Sequence, residues 1–89
     1  MEQMERIGRM EQLFDFALKA IKEFPMSSDK YEEVEDVIAT LADYYGSEQW
    51  KQDYADDEAG LLPTNLKRGV LSEDGIWNLL SEWHEIKEL

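Results

Sequence analysis

Asp53, Asp56, Asp57 and Glu58 form the densest run of carboxylates in the chain. Clustered carboxylates suit hard divalent cations, which take roughly six to eight oxygens on an ordered loop. Asp53 and Asp57 share a helix face at i, i+4, enough for a weak site, but the alternating acids and central glycine of a calcium loop are missing. The simpler expectation is a solvated acidic helix end whose charge Lys67 and Arg68 partly offset, because acids near a helix C-terminus oppose its dipole. Those two bases are adjacent but too few for a nucleic-acid footprint, which needs a basic stripe. Pairing inside the chain or contact with a protein suits them better. The single histidine, His84, has Glu88 four residues on. A general base also needs a reacting group within hydrogen-bond reach, and no serine or cysteine of nucleophile context accompanies the pair. No nucleophile elbow, P-loop, HExxH or glycine-rich dinucleotide fingerprint occurs. The expectation is a non-enzyme without cofactor or resident metal.

Aromatic residues carry the other chemistry. Trp50, Trp77 and Trp83, with Tyr44, Tyr45 and Tyr54, either fill a core or leave one or two rings exposed as binding anchors, a role in which Trp and Tyr dominate. Ile76, Leu80 and Trp83 define an inner seam at helical spacing, and Trp77 lies off its centre. Trp77 is therefore the first candidate anchor, with Trp50 beside it.

Composition narrows the field further. The chain has 89 residues, 21 acids against nine bases, a net charge of −12 and no cysteine. It has the length of a single domain, expected over residues 1–89. An apolar fraction of 43% with three Trp, four Tyr and three Phe is that of a folding chain and not of an acidic disordered tail. Absent cysteine excludes a disulfide scaffold, a zinc ribbon and thiol redox chemistry. Apolar runs are too short for a membrane span. The acidity disfavours direct binding to phosphate backbones and to anionic membranes, both of which call for Lys and Arg. A soluble, cytoplasmic protein is expected.

These residues must be positioned by helices. Ile7, Met10, Phe14, Ala17, Ile21 and Phe24 recur at steps of three and four, which predicts a helix over 2–24 stopped by Pro25. Ser27, Ser28 and Asp29 offer N-caps for a second helix over 29–45, with Asp29 and Glu32 fitting a capping box. Tyr31, Val34, Ile38, Leu41 and Tyr45 form its apolar stripe, and Gly46 is expected to close it in the left-handed conformation. Ser47 starts a short helix over 47–58 that ends before Gly60. Ser72 caps a last helix over 72–88, with Glu73 and Asp74 in its first turn. The fold class is all-α: a small elongated helical bundle made of a long helical hairpin, a short helix and a C-terminal helix. A 23-residue first helix is about 35 Å long, whereas a compact chain of this size has a radius of gyration near ~12 Å. That helix either forms one edge of an elongated bundle or pairs with a second copy in a homodimer.

Three strings, ERIGRMEQ at 5–12, YYGSEQWKQDYADDEAGLLP at 44–63 and LKRGVLSEDGIWNLL at 66–80, resemble a family of short bacterial proteins, mostly from Firmicutes, labelled domain of unknown function 4298. The resemblance spans essentially the whole chain. Gly75 and Trp77 depart from the family's usual alanine and tyrosine, and a glycine in a helical turn costs ~1 kcal/mol relative to alanine. The resemblance implies a cytosolic protein of low-GC Gram-positive bacteria or their mobile elements, and brings no activity or catalytic residue.

Two functions compete. One is a small non-catalytic interaction module, a regulator or adaptor, that binds a protein partner. The other is a nucleic-acid mimic whose acidic face blocks a basic DNA- or RNA-binding channel, in the style of anti-CRISPR and anti-restriction proteins. Residues 25–60 carry eleven acids against two bases, which motivates the second. The residues expected to meet a partner are Trp77, Trp50, Glu32, Glu33, Glu35, Asp36, Asp53, Asp56, Asp57, Lys67 and Arg68.

Overall fold

A computed structural model of the chain describes residues 2–72 and 74–88. Among the described residues it contains four α-helices, α1 (Gln3–Lys22), α2 (Ser28–Tyr45), α3 (Glu48–Glu58) and α4 (Gly75–Lys87), with a 3-10 turn at Gly69–Leu71 and no strand. The all-α bundle expected from the spacing is the one that forms. It measures 41 × 20 × 19 Å with a radius of gyration of 13.6 Å. The 20 residues of α1 span about 30 Å and make one edge of the long axis.

The helices α1 and α2 form an antiparallel hairpin. α4 packs on both, and α3 folds back over the end of α2 and the 3-10 turn. Four segments build the core: Ile7, Phe14, Ala17 and Ala20 from α1; Val34, Ile38, Leu41 and Tyr44 from α2; Leu62, Val70 and Leu71 from the loop and turn; Ile76, Leu79 and Trp83 from α4. Trp83 lies tilted against Tyr31, their ring centroids 4.9 Å apart. Met10 and Ile21 pack at the edge of this core. Phe24, expected in the seam, is exposed because α1 ends at Lys22, ahead of a turn holding a cis Phe24–Pro25 peptide.

Punctuation agrees with the sequence in part. Ser47 caps α3 through its Oγ, which accepts the Trp50 N–H at 3.1 Å. Ser27, and not Asp29, caps α2, its Oγ accepting the Lys30 N–H at 3.2 Å. Asp29 falls inside the first turn, where its charge meets the positive end of the dipole. Gly46 is not left-handed: its φ is −89°. The positive φ belongs to Gly60, at 74°, where the chain leaves α3, and a side chain there would strain the backbone. Ser72 Oγ accepts the Gly75 N–H at 2.9 Å and donates to the Gly69 carbonyl at 3.0 Å, so one hydroxyl joins the 3-10 turn to α4. Glu73 lies outside the described residues.

Gly75 has a packing reason. A Cβ on it would sit 2.3 Å from the Gly69 carbonyl oxygen and 2.5 Å from Ser72 Oγ. The turn and the start of α4 approach backbone to backbone, and the helix-propensity cost of glycine is the lesser term there.

Candidate functional site

The carboxylate cluster does not stay in solvent. α3 turns Asp53 toward the hairpin, where it is fully buried. Arg6 grips it with two bonds, Nε to Oδ2 at 3.0 Å and Nη2 to Oδ1 at 2.6 Å. Tyr44 donates its hydroxyl to Oδ2 at 2.6 Å, and Gln3 Nε2 donates to Oδ1 at 3.0 Å. Burial pushes the Asp53 carboxyl up, but the bonds from Arg6, Tyr44 and Gln3 outweigh it and hold the group below the usual aspartate range. Burial and the bond to Asp53 together push the Tyr44 hydroxyl far up. Asp53 is thus a structural acid, not part of a solvated helix end, and its oxygens face a guanidinium where a cation site would need vacant lone pairs. Asp56 joins the same group by accepting from Gln3 at 2.7 Å and from Gln52 at 2.8 Å.

Lys67 and Arg68 are also spent within the chain. Lys67 pairs with Asp15 on α1 and not with the α3 acids. Arg68 Nε pairs with Asp57, while its Nη atoms donate to the carbonyls of Pro63 at 2.6 Å and Leu66 at 2.8 Å. Arg68 therefore staples the 63–68 loop to α3. Trp50 is turned inward as well: its indole N–H donates to the Val70 carbonyl at 2.8 Å, and its ring lies between Tyr45 and Tyr54. On α2, Glu32, Glu33 and Asp36 are exposed, whereas Glu35 takes Lys87 of α4 at 2.9 Å.

Sequence reasoning missed Glu11. It is buried on α1, with Oε1 accepting the Val70 N–H at 2.7 Å. Burial raises its carboxyl above the ordinary glutamate value despite the N–H groups of Val70 and Gly69 and the charge of Lys67. The signal was its register: an acid four residues after Ile7 and three before Phe14 lies in the apolar stripe.

The outer face of α4 is what remains. Trp77 is 58% exposed, four residues before exposed Ser81 and eight before exposed Glu85. With half-buried Leu80 and exposed His84 they line a shallow groove of about 350 Å³. His84 Nε2 lies 3.0 Å from Glu88 Oε1, a pair on the surface. The opposite face, Ile76, Leu79 and Trp83, is in the core.

The family described as domain of unknown function (DUF4298) has a model that matches residues 7–89. The chain belongs to that family. The matched span takes in Glu11, Tyr44, Asp53 and all of α4, and leaves Gln3 and Arg6, two of the donors to Asp53, ahead of it. No curated protein and no solved structure matches the chain. No helix of the described residues is long and apolar enough to cross a membrane.

Proposed function

We propose that this DUF4298 protein is a small, non-catalytic, cytoplasmic interaction module, a regulator or adaptor that binds a protein partner through the outer face of α4. The exposure of Trp77 carries the proposal. Trp83 is buried and Trp50 half-buried against the core, yet the third indole is left in water beside Leu80. A large aromatic on a stable helix is the side chain that a partner's pocket rewards most. The other conspicuous groups, Asp53, Asp57, Lys67, Arg68 and Trp50, hold the chain together, which makes them scaffold in this reading.

The nucleic-acid-mimic reading draws on exposed Glu32, Glu33 and Asp36 of α2. It has less to work with than the sequence promised, since Asp53 is buried and Asp57 and Glu35 are paired. Affinity capture from the source cells with the intact protein and with Trp77→Ala separates the two. The interaction-module reading expects a specific partner that the Trp77→Ala protein loses at both low and high salt. A partner kept by Trp77→Ala, but lost in a triple Glu32, Glu33, Asp36 to glutamine variant and in high salt, would establish mimicry instead.

A further inference from the structure

Resting on the interaction-module reading, we infer that the groove along α4 takes a basic amphipathic helix of the partner protein, with an apolar side chain set on Trp77 and Leu80 and an Arg or Lys set on Glu85. Three observations carry this. First, Asp74, Trp77, Ser81, Glu85 and Glu88 follow one another at steps of three and four, so they lie along one stripe of α4. All five are exposed. Second, Ser81 is the small residue of the row. Bulky Trp77 stands one turn before it and Glu85 one turn after, so the ridge is notched where a second helix would cross. The notch is the groove lined by Trp77, Leu80, Ser81, His84 and Glu85.

Third, the charge of the face is one-sided. Asp74 and Glu85 are exposed along it, while the two bases of α4 are engaged, His84 with Glu88 and Lys87 with Glu35. A negative rim around an apolar notch selects a positive partner and repels a second copy of this chain, whose stripe has the same sign. Spacing then fixes the form of the partner. Trp77 and Glu85 are eight residues apart, about 12 Å along the axis at ~1.5 Å per residue. A helix laid along α4 spaces an apolar anchor and a base by the same two turns, and such anchors are how helices are read in grooves. An arginine is the better base, because its guanidinium meets a carboxylate with two parallel bonds.

The test uses an 18-residue acetylated and amidated helical peptide with leucine along one face and arginine two turns from it, titrated into the 15N-labelled full chain. A control peptide carries glutamate in place of arginine. The expected result is saturable binding in the micromolar range with shifts at the Trp77 indole, Ser81 and Glu85, and none for the control. Trp77→Ala and Ser81→Arg should each weaken binding at least tenfold, and Glu85→Gln several-fold with a smaller salt dependence. These positions are exposed, and circular dichroism checks that each variant keeps its helix content. Absence of binding, equal binding of the control, or shifts on Glu32, Glu33 and Asp36 with unchanged affinity in Trp77→Ala would each overturn the inference. Cellular capture keeps the two readings separate: a native partner that Trp77→Ala loses, with no binding of the arginine peptide, overturns the basic helix while leaving the α4 interaction surface in place.

Discussion

Asp53 and Glu11 are both carboxylates withdrawn from water, and the fold treats them in opposite ways. Asp53 sits where α3 meets the open end of the hairpin and receives a guanidinium, a phenol and an amide. Glu11 sits where α1 meets the 3-10 turn and receives backbone N–H donors. Burial opposes ionisation at both. The guanidinium, phenol and amide together outweigh it at Asp53, whereas backbone dipoles do not at Glu11. Depth alone does not set the state of a buried acid; the number and charge of its donors do.

The comparison can be broken at either junction. Phe14→Ala should cost the most, roughly 3–5 kcal/mol, a cavity left by a buried aromatic on which the turn at Gly69 rests. Chemical denaturation measures it, and an unchanged midpoint would show that the turn does not rest on that ring. Asp53→Asn comes next at about 3 kcal/mol, because it leaves a partly buried guanidinium without its counter-charge. Its pH dependence is the sharper readout. A carboxylate held below its ordinary value of 3.8 stabilises fully above that value and loses its contribution as pH falls through the lower folded value. The gap between native and Asp53→Asn midpoints should therefore close in strong acid.

Gly75→Ala should destabilise by about 1–3 kcal/mol, an overpacking cost, although helix propensity alone forecasts a gain of ~1 kcal/mol. Thermal melting decides the sign. Glu11→Gln should be the mildest change, within about 1 kcal/mol at neutral pH, since the amide oxygen can still accept from Val70. Its pH trend should run opposite to that of Asp53. A raised carboxyl contributes fully below its ordinary value of 4.5 and loses that contribution as pH rises through the folded value. The native protein should accordingly gain on Glu11→Gln upon acidification, measured as a difference in melting temperature between pH 7 and 4.

Much of this architecture was legible. Steps of three and four placed α1, α2 and α4, and Ser47 marked a helix start because capping is local chemistry, whereas Ser72 closes the 3-10 turn and α4 starts only at Gly75. The charged residues were misjudged because their partners are remote in sequence. Asp53 is 47 residues from Arg6, and nothing in DYADDE, residues 53–58, distinguishes the acid that is buried from those that are not. Glu11 was legible in its register and passed over because Met10 offered a more apolar stripe. The length of the first helix left two readings, one edge of an elongated bundle or a pairing with a second copy. One face of it is covered within the chain, with Ile7 and Glu11 buried and Gln3 and Arg6 bound to Asp53, while Glu5, Arg9 and Gln12 stay exposed. Trp77 was singled out by standing off the Ile76–Leu80–Trp83 seam, and its exposure follows from that same register.

The backbone contact between Gly75 and Gly69 reaches further than stability. Two residues before Trp77, the bare Cα seated on the Gly69 carbonyl, with Ser72 bonded to both residues, sets the azimuth of α4 about its own axis. The indole is thereby placed on the solvent side of α4. A methyl group at 75 would rotate the start of the helix and swing that indole away. A residue without a side chain thus governs which way the exposed indole of α4 faces.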